Sequence, residues 1–159
     1  MKSNALFWMC LLLTGTSAYG QTQKPSEKCE KPNISTVDAF GPKTASDARQ
    51  FLTKLQNAVR SNNRVIVASM VRYPLLVANA NTELKIKSKE ELLSRYDLIW
   101  NQQVKEALSS QSIACLSYAS SGFTPDGGSQ VGFVIGDHGE IWFTTIDGTD
   151  ILKIITINN

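Results

Sequence analysis

The sequence contains little histidine and little cysteine, which limits the metal and redox chemistry available to it. One of its 159 residues is histidine and three are cysteine. There is no Cys-x-x-Cys pair for a redox-active dithiol, and the single His138, in the turn-like Asp137-His138-Gly139, gives no zinc-ligand pattern. Without a partner histidine, His138 is expected to be a solvated turn residue. We therefore expect no metal site and no other cofactor.

Two sequence motifs of catalysis and nucleotide binding are also missing. The chain has no Gly-x-Ser-x-Gly nucleophile elbow, and its glycine-rich loop at Gly127-Gly128 is not followed by a phosphate-binding lysine and a helix. No basic patch is concentrated enough for nucleic acid, since sixteen Lys and Arg stand against fourteen Asp and Glu. The alternating Lys85, Lys87 and Lys89 predict a solubilising sheet edge rather than an anion site.

The apolar run near the N-terminus is too short to cross a bilayer. It covers the nine residues 5–13, whereas a spanning helix needs roughly 17 or more. Lys2 precedes the run, and Ala18-Tyr19-Gly20 follows it with small residues at the positions that a signal peptidase reads. This pattern predicts a signal peptide over residues 1–20, cleaved after Gly20 or Ala18, and a periplasmic or secreted protein. A short membrane anchor is the alternative interpretation.

Removal of this peptide would take Cys10 with it and leave two cysteines, Cys29 and Cys115. In an exported chain, a pair of cysteines favours one disulfide. That bond would tie the N-terminal segment to a strand and could contribute about 4 kcal/mol by restricting the unfolded chain. Two unpaired thiols are the alternative.

Residues 21–45 are predicted to be an irregular lead-in, because they are polar and contain three of the five prolines. Residues 46–159 are predicted to form one α+β domain. Its first helix, about 46–61, carries apolar residues at helical spacing. These are Ala48, Phe51, Leu52, Leu55, Ala58 and Val59. Asn62-Asn63 separates it from a second helix, about 64–71, which Pro74 is expected to end.

A third, long helix is predicted from Ser88 to Ser109. Ser88 with Glu91 three residues later resembles a capping box, and an apolar stripe runs through Tyr96, Trp100 and Val104. The remaining periodic segments predict strands. They lie at about 75–77, 83–87, 113–118, 130–135, 140–146 and 151–157, with a loop at 120–129 and a hairpin turn at 137–139. The simplest packing is a curved antiparallel sheet around the helices, with a concave space between them.

Three features of this order resemble the NTF2-like (cystatin-like, SnoaL-type) superfamily, and within it small exported bacterial members of unassigned function. They are Asn62-Asn63 between the first two helices, Tyr73-Pro74-Leu75 after the second, and a closing meander that contains residues 139–143. The resemblance covers roughly residues 46–158. It implies a conical α+β fold with a pocket at its open end, hosting either enzymes or binding modules, and homodimers through the sheet face.

The enzyme branch of the superfamily can be compared residue by residue. Ketosteroid isomerases carry a carboxylate immediately before the proline that follows the second helix, whereas this chain has Arg72-Tyr73-Pro74 there. A phenol with a pKa near 10 is a poor base for a carbon-bound proton at neutral pH. The missing carboxylate therefore favours a binding module without catalytic activity. A lyase, isomerase or hydrolase that uses Asp97 or Tyr73 as acid or base is the alternative.

The expected ligand is a small apolar molecule inside the cone, or a protein partner on the sheet. Aromatic side chains would line the cone, and a charged side chain would supply the polar contact; plain core packing is the alternative role. The candidates are Arg72, Tyr73, Tyr96, Asp97, Trp100 and Trp142. Trp142 and Phe143 are neighbours on a strand and should point to opposite faces of the sheet.

Overall fold

The described part of the chain folds into an α+β structure of five helices and one six-stranded sheet. The computed structural model describes residues 42–79, 82–123, 129–146 and 149–159, with side chains except at 42, 119–123 and 129–131. The helices are α1 (Pro42–Arg60), α2 (Arg64–Ser69), α3 (Lys89–Ser94), α4 (Tyr96–Ile99) and α5 (Gln102–Ser110). The strands are β1 (Val71–Ala78), β2 (Glu83–Ile86), β3 (Ser117–Phe123), β4 (Ser129–Ile135), β5 (Ile141–Thr145) and β6 (Leu152–Asn158). The predicted α+β class is confirmed at this level.

The strands lie in the order β2-β1-β6-β5-β4-β3. All neighbouring pairs are antiparallel except β1 and β6, which run parallel with Ala78 opposite Asn158. The prediction of a purely antiparallel sheet is therefore wrong at this pair. β6 follows the other strands in sequence, yet it lies in the middle of the sheet, between the β1–β2 hairpin and the β3–β4–β5 meander.

α1 packs on the sheet through the apolar face predicted from its periodicity. The residues of this face that are fully buried are Ala48, Leu52, Leu55 and Ala58. Phe51, half-buried, stacks on Phe143 of β5 with ring centroids 4.6 Å apart. The helix starts at Pro42, inside the predicted lead-in, because proline is readily accommodated in the first turn of a helix.

α2 is shorter than predicted. It ends at Ser69, and Val71 already belongs to β1. The Ile154 N–H of β6 donates to the Met70 carbonyl at 2.9 Å, so the backbone hydrogen bonds change from helical to sheet bonds at this point. Pro74 therefore does not end the helix. It lies within β1 after a cis peptide bond, where the register against β6 shifts between Val71 and Leu76, and proline is tolerated in sheets at such irregularities.

The predicted long helix from Ser88 to Ser109 is wrong and is replaced by α3, α4 and α5. Ser88 caps α3 as predicted, accepting the Glu91 N–H at 3.3 Å. Trp100 leaves the helical conformation, with φ −91° and ψ 60°. Asn101 then starts a new helix, because its side chain accepts the Val104 N–H at 3.0 Å. The apolar stripe survives both interruptions, and its members remain buried.

The β4–β5 hairpin is confirmed. Its turn begins at Gly136, one position before the predicted turn, and Gly136 and Gly139 have the positive φ angles of 85° and 73° that favour glycine. β3 and β4 reach further into the predicted 120–129 loop than expected, and their register shifts between Ala119 and Gly122. Among the described residues, no helix combines the length and apolar character needed to cross a membrane.

Candidate functional site

Tyr96 and Trp100 lie together in the interior, as the helical spacing predicted. Their rings stack with centroids 6.1 Å apart, and both side chains are buried. The Arg64 guanidinium carbon lies 4.8 Å from the centroid of the Tyr96 ring, on the side where α2 approaches α4. These aromatic groups fill space in the core that the sequence had suggested for an apolar ligand.

The polar atoms of this aromatic pair have no hydrogen-bond partner among the described residues. Tyr96 Oη and Trp100 Nε1 are both buried, and neither forms a hydrogen bond within the described part of the chain. Burial raises the pKa of Tyr96 to about 12, against the opposing effect of Arg64. The phenol is therefore neutral at physiological pH and is not suited to act as a base there.

The other predicted candidates do not join this pair. Asp97 has 67% of its side chain exposed and faces Arg64 Nη2 at 3.1 Å and Lys105 Nζ at 3.9 Å. Tyr73 donates its hydroxyl to the Ala68 carbonyl at 3.0 Å, and burial raises its pKa to about 12. Neither group is placed as a neutral-pH acid or base within an enclosed pocket.

Arg72 is half-buried on β1, and Trp142 is half-buried on β5. Phe143 faces the helices, so Trp142 points away from them, as its alternation with Phe143 predicted. The indole of Trp142 lies close to Gly139, where a Cβ atom would approach its Nε1 to 2.9 Å. Of the six candidates, Tyr96 and Trp100 form the one pair that the described structure stacks together in the core.

A different site lies where the β1, β5 and β6 ends meet the start of α5. Because β1 and β6 are parallel, their final residues lie side by side. β5 runs antiparallel to β6, so its first residues lie at the same end of the sheet. A cavity of about 240 Å³ opens there. It is lined by Ala78, Asn79, Gln103, His138, Glu140, Asn158 and Asn159. We call this cavity the Glu140 pocket.

Glu140 is the one acidic side chain in this pocket, and only 4% of its surface is exposed. Its Oε2 accepts the His138 backbone N–H at 3.1 Å, and its Oε1 lies 3.2 Å from His138 Nδ1. In the described ranges, His138 is its single ion-pair partner, and only when the imidazole is protonated. The carboxylate leaves no room for a side chain at position 136 of the turn, because a Cβ atom on Gly136 would overlap Glu140 Oε2.

Two of the three asparagines in the lining donate hydrogen bonds within the fold. Asn158 Nδ2 donates to the Gly139 carbonyl at 2.6 Å, and Asn159 Nδ2 donates to the Leu98 and Ile99 carbonyls at 2.9 and 3.3 Å. An amide side chain has two N–H groups and one acceptor oxygen. Asn159 uses both N–H groups in these bonds and Asn158 uses one, so both amide oxygens can accept hydrogen bonds from a ligand. Together with the carboxylate, these oxygens supply hydrogen-bond acceptors to a lining that also contains the amide side chains of Asn79 and Gln103.

Sequence reasoning did not select Glu140. His138 is exposed in its turn as predicted, with 84% of the side chain accessible, but its contact with a buried carboxylate was missed. The available signal was a glutamate directly before the apolar run Ile141-Trp142-Phe143, where a strand interior begins. The other residues that line the pocket come from distant parts of the chain, and no sequence pattern marks them as belonging to one site. No group of three His, Cys, Asp or Glu side chains suited to a metal occurs among the described residues.

Cys115 precedes β3. Cys29 lies outside the described residues, so its predicted pairing with Cys115 stays a prediction. The predicted signal peptide and lead-in up to residue 41 lie outside the described residues as well.

No protein-family model, no curated protein and no solved structure matches this chain. The resemblance to the NTF2-like superfamily therefore stays a prediction, and the site must be interpreted from its own chemistry.

Proposed function

We propose that the protein is an exported binding module without a catalytic step, and that it holds a small organic cation in the Glu140 pocket. The observation that carries this proposal is that one cavity is lined by the buried Glu140, its one acidic side chain, and by Asn158 and Asn159, whose amide oxygens can accept hydrogen bonds. A buried carboxylate is costly unless it is paired. A ligand that brings positive charge and several N–H donors offsets that cost.

The ligand class follows from the size and chemistry of the pocket. A volume of about 240 Å³ lies below the usual range of about 300–1,000 Å³ for ligand sites, so it suits a compact molecule. A primary ammonium group has three donors and no acceptor, and three acceptor groups can receive them. This polar ligand replaces the apolar one suggested by the sequence, because Tyr96, Trp100 and Phe143 fill the interior between helices and sheet.

The experiment is a calorimetric titration of the purified protein with ethanolamine and with 1,4-diaminobutane. We expect both amines to bind, and 1,4-butanediol and choline, which lack charge or N–H donors, to bind at least tenfold more weakly. Glu140→Gln should weaken amine binding at least tenfold, because it keeps the shape of the side chain and removes its charge.

Glu106→Gln is the matched control, since Glu106 is an exposed carboxylate on α5 outside the pocket. It should leave amine binding unchanged. Equal affinity for the amines and the diol, or unchanged amine affinity in Glu140→Gln, would overturn the cation proposal.

A second candidate is an acid–base enzyme in which Glu140 orients His138, and the 3.2 Å contact between them favours it. The two functions differ in their need for the imidazole. Cation binding requires the carboxylate and should persist in His138→Ala, whereas general acid–base chemistry by His138 would be lost. Retained amine affinity in His138→Ala therefore supports a cation site that does not need the imidazole, and loss of amine affinity would show that His138 takes part in binding.

Export and superfamily membership are part of the same proposal. The short apolar run before Ala18-Tyr19-Gly20 supports export. The order of two helices, a hairpin, further helices and a meander supports an NTF2-like cone. The mass of the protein purified from the cell envelope or medium would show whether residues 1–20 have been removed.

A further inference from the structure

β2 is an outermost strand of the described sheet, with β1 as its one neighbour. Residues on an antiparallel strand alternately direct their backbone groups toward and away from that neighbour. The Asn79 N–H donates to the Thr82 carbonyl at 3.0 Å, so Thr82 faces β1. The register pairs Ala78 with Glu83 and Leu76 with Lys85. Because the direction of the backbone groups alternates along β2 from Thr82 onward, the N–H and C=O groups of Glu83 and Lys85 face away from β1.

The bonding at the end of β2 agrees with this alternation. Lys87 belongs to the outward set, and its N–H donates to Glu91 Oε2 at 2.8 Å rather than to β1. This hydrogen bond uses the outward-facing N–H group of Lys87, so the edge of β2 beyond Lys85 is not available for pairing. The exposed edge available for pairing is therefore short, and its two outward-facing residues carry opposite charges.

We propose that two copies of the chain associate by antiparallel pairing of their β2 edges, centred on Leu84. Glu83 of each copy then lies opposite Lys85 of the other. Both of these residue pairs are of the hydrogen-bonded type, since their backbone groups face outward in each copy. The two sheets become one continuous sheet across the twofold axis.

The charges select this register over its neighbours. Centring the pair on Lys85 places two lysines opposite each other, and centring it on Glu83 places two glutamates opposite each other; like charges in directly opposed positions are destabilising. Only the arrangement centred on Leu84 opposes unlike charges at both positions. Leu84, half-buried on the core face of the strand, then meets its own copy across the axis and covers further apolar surface.

Lysine on an edge strand usually prevents pairing. Here the glutamate two residues earlier makes the edge complementary to itself, so a second copy is the occupant that fits best. The interface uses none of the residues of the Glu140 pocket and is independent of the proposed ligand.

Sedimentation equilibrium of the purified protein, from about 1 µM to about 1 mM, tests the proposal. We expect a monomer–dimer equilibrium that 1 M NaCl shifts toward monomer, because exposed charge pairs are screened by salt. Glu83→Lys alone and Lys85→Glu alone should each raise the dimer dissociation constant at least tenfold, because each creates like charges across the axis.

An equimolar mixture of the two single variants provides the decisive control. In the mixed dimer each variant again faces opposite charges, so association should return to within about threefold of the parent. Circular dichroism checks that both variants fold. A monomeric parent at the highest concentration, single variants that associate like the parent, or a mixture no stronger than either variant alone would each overturn the proposal.

Discussion

The Tyr96–Trp100 pair and the Glu140 pocket both hold polar atoms away from water, and they differ in what surrounds those atoms. In the aromatic pair, a hydroxyl and an indole N–H are buried without partners in the described structure. In the pocket, the carboxylate accepts a backbone N–H and opens onto a cavity. The aromatic pair is stabilised by its apolar surface despite its polar atoms, whereas the pocket retains polar atoms that can still bind.

The aromatic pair should therefore contribute more to stability than to function. Trp100→Ala removes a fully buried indole, and we expect it to lower the free energy of unfolding by about 3–5 kcal/mol. Urea unfolding followed by circular dichroism measures this loss.

Trp142→Ala is the matched control, since Trp142 is the half-buried tryptophan on the opposite side of the sheet. It should cost less than half as much as Trp100→Ala. Equal costs for the two tryptophans would contradict the assignment of Trp100 to the core.

Glu140→Ala removes the acceptor of the His138 N–H and leaves space beneath Gly136. We expect it to lower the free energy of unfolding by about 1–3 kcal/mol, the usual cost of leaving a partly buried donor unsatisfied. Glu140→Gln keeps an acceptor oxygen and should cost less than half of that. If the two variants were equally destabilised, the hydrogen bond would not be the contribution of Glu140 to the fold, although its role in cation binding would still be tested by titration.

Tyr96→Phe should have the smallest effect at neutral pH. It removes a hydroxyl that has no partner among the described residues, so we expect a change in unfolding free energy within about 0.5 kcal/mol. Tyr73→Phe is its counterpart, because it breaks the hydrogen bond to the Ala68 carbonyl and should cost about 0.5–1.5 kcal/mol. Urea unfolding at pH 7 compares the two.

Alkaline pH gives a sharper test of the same residue. The pKa of Tyr96 is about 12 in the fold and about 10 in the unfolded chain. Its contribution to stability is complete below pH 10 and is lost as the pH rises through 12, by about 2 kcal/mol at pH 12. Tyr96→Phe should therefore lose less stability than the parent between pH 10 and pH 12, and identical losses would show that the Tyr96 hydroxyl is accessible to solvent.

Features set by neighbours in sequence were predicted well. The face of α1, the Ser88 cap, the β4–β5 hairpin and the opposite orientations of Trp142 and Phe143 all follow from local spacing, and all are confirmed. The interruption at Trp100 and Asn101 was missed because the apolar stripe continues across it, and periodicity alone does not register a capping side chain.

The candidate site was largely inaccessible to sequence reasoning. Its pocket depends on the parallel pairing of β1 with β6, which places Asn158 beside Ala78. Gln103 and Glu140 reach the same cavity from two further segments. Periodicity describes single elements and does not say which ends of distant elements meet. Four of the six predicted candidates were aromatic, and burial in the core explains Tyr96 and Trp100 better than ligand contact does.

The central position of β6 also has a consequence for the order in which the molecule can be assembled. The β1–β2 hairpin and the β3–β4–β5 meander are each local in sequence, but within the described sheet they are joined only through β6. During synthesis both halves leave the ribosome before the strand that unites them. The sheet must therefore close in a late, long-range step, which is slow compared with hairpin formation. The β1 and β5 edges that β6 later covers stay unpaired until that step.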